Sequence, residues 1–115
     1  MVEDFLVKIH KSYRDVVAIC DKNLFGKKIV EGERQLDLMG EFFNGEVKNE
    51  ESLREIILNQ SREDATFNIV GDRSVSVAKD LGIVVDGGIS KIGGVSFALV
   101  LIWFVWSSFI KLLSI

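Results

Sequence analysis

The chain has no proline, one cysteine and one histidine in 115 residues. With no proline beside ten glycines, the composition is that of neither a polyproline linker nor a disordered tail. One cysteine excludes an internal disulfide, and with a single histidine it also excludes a Cys/His zinc cluster. Cys20 instead suits a reducing compartment as a small buried hydrophobe. No signal peptide is expected from these residues: Glu3 and Asp4 stand where a basic region belongs, and no long apolar run follows early. The chain is therefore expected to start in the cytoplasm. Nucleotide motifs are missing as well. Gly87-Gly88 and Gly93-Gly94 do not make G-x-G-x-x-G, and Gly94 leads to Val95 without the Lys-Ser or Lys-Thr of a P-loop. There is no internal repeat.

What is present is room for one domain, with 48% hydrophobic residues and enough chain to bury a core without staples. The net charge of −3 is wrong for a free-standing DNA-binding domain. That average hides a segregation along the chain. Residues 8–28 hold six cations (Lys8, Lys11, Arg14, Lys22, Lys27, Lys28) against Asp15 and Asp21, whereas residues 31–64 hold ten acids against four cations. Such polarity can orient a molecule on a phosphate-rich partner, but two ordinarily solvated faces are the preferred account of it.

Alternation reads residues 5–9 as a strand and a nearly continuous apolar run reads 16–20 as another, the two forming an antiparallel hairpin joined by a polar connection at 10–15. Residues 24–28 turn the chain, and Glu31-Gly32-Glu33 turns it again. Residues 34–38 alternate like a half-buried strand. Asn44-Gly45 carries a tight-turn signal. Asn49 caps a helix to about Arg62, with Glu50 and Glu51 in its first turn and Leu53, Ile56 and Ile57 on one face. A β-branched and aromatic strand at 66–70 ends at Gly71. Asp72 is read as the cap of a second helix through Leu81, with Val75, Ala78 and Leu81 inward and Gly82 as its stop. The expectation is a small single-domain α+β fold, a mixed or antiparallel sheet with two helices.

Six segments carry a resemblance. In order, Leu6-Val7-Lys8-Ile9-His10, Leu24-Phe25-Gly26-Lys27-Lys28 with Glu31-Gly32, Gln35-Leu36-Asp37-Leu38, Phe43-Asn44-Gly45-Glu46, Asn68-Ile69-Val70-Gly71 and Ile92-Gly93-Gly94-Val95 resemble the archaeal domain-of-unknown-function family 424 over residues 5–95. The resemblance implies an archaeal cytoplasmic protein of α+β fold, near translation, with no reaction to carry over. It assigns residues 95–102 to a core strand. The sequence departs from the family after Val95, having Ser96 and Phe97 where the family closes on a strand with Pro and His, and it continues through Ile115.

That apolar end reads two ways. Residues 93–110 contain no charge, and Lys111 follows with a stem able to snorkel, which is the length of a membrane span. Against a span, Trp103 and Trp106 sit mid-run, no basic cluster flanks it, and a strand over 95–102 leaves 13 residues reaching about 20 Å as helix. The division is therefore a domain over 1–102 and an apolar tail over 103–115. In a short helix, Trp103, Trp106, Phe109 and Ile110 make one stripe for a partner or a membrane surface.

His10 has no nucleophile placed beside it by sequence and reads as a solvated turn residue. Asp37, with Glu31, Glu33, Glu41 and Glu46 around it, reads as a solvated acidic surface. No catalytic residue, metal or cofactor is assigned. Gly26-Lys27-Lys28 offers backbone amides and two cations for phosphate, joined by Lys8, Lys11 and Arg14 if the hairpin curls toward that loop. The functional expectation is a non-catalytic accessory protein of the ribosome, touching RNA through Lys8, Lys11, Arg14, Lys27 and Lys28. The rivals are a tail-anchored membrane protein and an uncharacterised enzyme.

Overall fold

The computed structural model describes residues 3–101. β1 (Phe5–His10) and β2 (Val16–Asp21) form the expected antiparallel hairpin, with Phe5 opposite Asp21 and His10 opposite Val16. β3 (Lys28–Glu31) and β4 (Arg34–Asp37) make a separate two-stranded ribbon around Gly32. β5 (Glu46–Lys48) pairs with the start of β1. β6 (Thr66–Val70) lies parallel to β2, with Val16 opposite Thr66. β7 (Ser90–Ile92) and β8 (Val95–Val100) form a hairpin that joins β6 antiparallel. The six-stranded order is β5-β1-β2-β6-β8-β7.

Side-chain alternation sends two different sets of residues to the two faces. Phe5, Val7, Val17, Ile19, Phe67, Ile69 and Ala98 point to one face and are almost fully buried there. Two helices cover them: α1 (Glu50–Arg62) through Leu53 and Ile57, and α2 (Asp72–Asp80) through Val75 and Ala78. Each such fully buried large side chain contributes about 1.5–3 kcal/mol. On the opposite face Leu6, Cys20 and Val70 pack against Leu38 and Phe43, which the ribbon and a 3₁₀ turn at Glu41–Phe43 supply.

Helix ends follow the sequence closely, with one exception. Asn49 accepts a hydrogen bond from the Ser52 amide at 2.9 Å, as an N-cap should. Gly82, at φ +79°, ends α2 with its own amide bonded to Lys79 O and the Ile83 amide bonded to Ala78 O. Those two bonds satisfy carbonyls that a helix end leaves orphaned. The exception is Asp72, which is the first helical residue and does not cap the helix. Its Oδ1 accepts from the Ser96 amide of β8 at 3.0 Å.

Two other sequence expectations are corrected and a third is refined. Lys28 already belongs to β3, so the turn at 24–28 is shorter than expected; Leu24 ends a 3₁₀ turn at Lys22–Leu24. The tight turn expected at Asn44-Gly45 is present but does not join two paired strands. Phe43 is drawn into the core, and the Gly45 amide bonds back to Phe43 O at 2.9 Å before β5 begins. His10 is the last residue of β1 and no turn residue. The departure at Ser96 and Phe97 does not cost the last strand: β8 occupies the expected place, with Val100 its last residue.

Candidate functional site: the loop between β1 and β2

The residues that join β1 to β2 end one side of the sheet. Tyr13 is 99% exposed there, an unusual position for an aromatic ring. The Arg14 guanidinium stands 6.0 Å from the ring centroid, at the outer reach of a cation–π contact. The Ser12 hydroxyl donates to Arg14 O and tightens the loop. Lys11 Nζ reaches Asp15 Oδ2 at 2.9 Å, and that hydrogen bond holds the Asp15 carboxyl below its ordinary value. Arg14 lies 3.6 Å from Asp64. Both cations and Asp64 are solvent-exposed while Asp15 is largely covered, and exposed cations are held loosely enough for a phosphate to compete.

The C-terminal end of α1 completes the place. Arg62 and Asn59, hydrogen-bonded to each other at 3.0 Å, share with Lys11, Tyr13, Gln60 and the acids Asp15 and Glu63 a shallow depression of about 560 Å³. Nothing in the sequence pairs Arg62 with the hairpin. The juxtaposition arises because β6, which follows α1, returns to lie beside β2, and the Thr66 amide bonds Asp15 O at 3.0 Å.

The other expected cations are elsewhere. Lys27 and Lys28 follow the opposite end of β2, whose six residues rise about 20 Å. The first hairpin does not curl toward them. Their loop amides are also spent: Gly26 N bonds Leu38 O at 2.7 Å and Lys27 N bonds Leu24 O at 3.1 Å, which leaves no free amide nest for phosphate at those two positions. Lys28 lies in register with Asp37 across the ribbon. Lys8 points to the ribbon side of the sheet and donates to Glu41 O at 2.9 Å. The expected five-cation patch is thus divided, with only Lys11 and Arg14 in the loop.

The histidine and the acids are engaged in separate local contacts. The His10 ring stacks on Phe42 at 4.6 Å, and its Nε2 lies 3.0 Å from Phe42 O. A carbonyl only accepts, so Nε2 carries the proton. Asp37 accepts from the Met39 amide, Glu31 from the Gly93 amide, and Glu41 from the Asn44 side chain. Trp103, Trp106, Phe109 and Ile110 lie outside the described residues. No helix among the described residues is long and apolar enough to cross a membrane.

A mixed six-stranded sheet with two helices on one face and a two-stranded ribbon on the other defines a small α+β domain. The chain belongs to the family described as "Protein of unknown function (DUF424)", whose model matches residues 10–102. Its fold is similar to the crystal structure of an uncharacterized conserved protein from Methanopyrus kandleri, with a TM-score of 0.71 and 24% identity over 84% of this chain and 91% of that one. No curated protein matches the chain.

Proposed function

We propose that this protein is a non-catalytic binding protein that contacts RNA phosphates and bases through the β1–β2 loop, as an accessory of the archaeal translation machinery. The observation that carries this reading is Tyr13, a fully exposed ring with Lys11 and Arg14 beside it. Single-stranded RNA is bound by such pairing of a stacking surface with cations along the backbone. Arg62 adds a cation from α1, with Asp15 and Glu63 beside it. Lys27 and Lys28 form a second contact point, and an RNA engaging both must run the length of β2.

Ribosomal RNA is the first ligand to test, by sedimentation and by direct titration at several salt concentrations. Affinity falls with salt, with a log–log slope of about −2 to −3 when only the loop cations and Arg62 release counterions. Tyr13→Ala and the double variant Lys11→Glu with Arg14→Glu each lower affinity by about tenfold. Lys27→Glu with Lys28→Glu has a smaller effect on short RNA than on long RNA. Salt-independent association, or unchanged binding in the Tyr13 and Lys11/Arg14 variants, overturns the reading.

A further inference from the structure

The depression between the β1–β2 loop and the end of α1 is not lined by cations alone. Three carboxylates stand at or beside it, and two of them are committed. Asp15 is held by Lys11 at 2.9 Å and by the Gln60 side chain, and Asp64 faces Arg14 at 3.6 Å. Glu63 lines the depression with its carboxylate in no ion pair or hydrogen bond among the described residues. It stands at the C-cap of α1, where the helix dipole disfavours a negative charge, so helix stability does not account for it. Two carboxamides continue the same wall. Asn59 Oδ1 accepts from Arg62, which leaves the Asn59 NH2 to donate. Gln60 Oε1 is buried and has no partner among the described residues, and an unsatisfied buried acceptor in a native structure asks for a reason.

A free carboxylate repels phosphate and only accepts hydrogen bonds, so the group it recognises carries N–H donors. Guanine alone among the RNA bases presents two donors side by side, N1–H and the 2-amino group, which match the two oxygens of one carboxylate. Adenine and cytosine set a ring-nitrogen acceptor next to the amino group, and uracil sets its one N–H between two carbonyls. Next to guanine's donors lies its O6 acceptor, for which Asn59 has the uncommitted NH2. We propose that the depression takes a guanine base stacked on Tyr13, with Glu63 accepting from N1–H and the 2-amino group and Asn59 donating to O6. The strand that presents this base rests on the RNA reading above, and Lys11, Arg14 and Arg62 stand at the rim for its phosphates. At about 560 Å³ the depression falls within the range of small-ligand sites. Stacking on the exposed ring is tolerant of sequence, so the choice of base belongs to Glu63.

The probes are short single-stranded uridine RNAs with guanine, adenine, cytosine or inosine at one central position, titrated at constant salt, together with guanosine and adenosine 5′-monophosphates. The guanine strand binds about tenfold tighter than the adenine and cytosine strands. Inosine, which keeps N1–H and lacks the 2-amino group, falls between them. Glu63→Gln narrows the guanine preference to within about twofold, whereas Glu55→Gln, on α1 outside the depression, retains it. Tyr13→Ala weakens every strand by a similar factor. Far-ultraviolet circular dichroism and an undiminished urea midpoint verify that Glu63→Gln is folded. Equal binding of the four strands, or a guanine preference that survives Glu63→Gln, overturns the proposal and leaves the RNA reading standing. Guanosine monophosphate bound in preference to adenosine monophosphate through Glu63, with no RNA bound, does the opposite: the guanine site stands and the RNA reading falls. No binding of any probe overturns both.

Discussion

Asp21 is the residue on which the two layers of the helix face depend. Its Oδ1 accepts from the Ser74 amide at 2.8 Å and the Ser74 hydroxyl at 2.6 Å, and its Oδ2 accepts from the Arg73 amide at 3.2 Å. A strand residue thereby supplies the cap that Asp72 does not. Gly71 makes the approach possible: at φ +117°, a Cβ there would lie 2.3 Å from the Asp21 carboxyl carbon. Asp21→Ala strands those donors in a buried place and costs about 2–3 kcal/mol, read as a lower urea midpoint with an unchanged m-value. No local pattern marks Asp21, because its partners are about fifty residues away in the chain. Beside it, Cys20 faces the ribbon and is fully buried. Burial, with the neighbouring Asp21 carboxylate adding to it, pushes the thiol up to about 12. Thiol reagents at pH 8 should leave Cys20 untouched in the folded protein and label it fully in urea; rapid labelling of the folded state contradicts this burial.

Among the elements, α2 and β8 are joined at Asp72 and Ser96. The hydrogen bond from the Ser96 amide, reinforced by the Ser96 hydroxyl, holds the Asp72 carboxyl below its model-peptide value of 3.8. The folded value is the lower one, so this contribution is complete above the unfolded value and disappears as pH falls through the folded one. Asp72→Asn should therefore flatten the loss of stability between about pH 5 and pH 2, measured as urea midpoints across that range; an unchanged pH profile refutes the join. Legibility in sequence followed length and locality. α1, α2 and the β1–β2 hairpin were readable because caps, periodicity and apolar runs are local: Asn49, Gly82, the alternation around Val7 and the apolar run around Ile19. β3 and β5, of four and three residues, are too short to show a period. The tight turn signalled by Asn44-Gly45 is made between Phe43 and Gly45, while the burial of Phe43 beside it had no local signal.

Across the whole molecule, the charge segregation seen along the chain does not survive folding intact. Arg14 from the basic stretch meets Asp64 from the acidic one, Lys28 sits across from Asp37, and Lys8 is held by the Glu41 carbonyl. The five cations named from the sequence lie in separate places, and of them only Lys11 and Arg14 share the loop with Tyr13. Arg62, its contribution from α1, became visible only in three dimensions. The parallel pairing of β2 with β6 has one more consequence. Thr66 must be made before Val16 has a neighbour on that side, about fifty residues later, which at 5–20 residues per second is several seconds of synthesis. Until then the nascent hairpin shows the ribosome exit and its chaperones a raw apolar strand, Val17-Ala18-Ile19-Cys20, and the middle of the finished sheet is its most exposed part at birth.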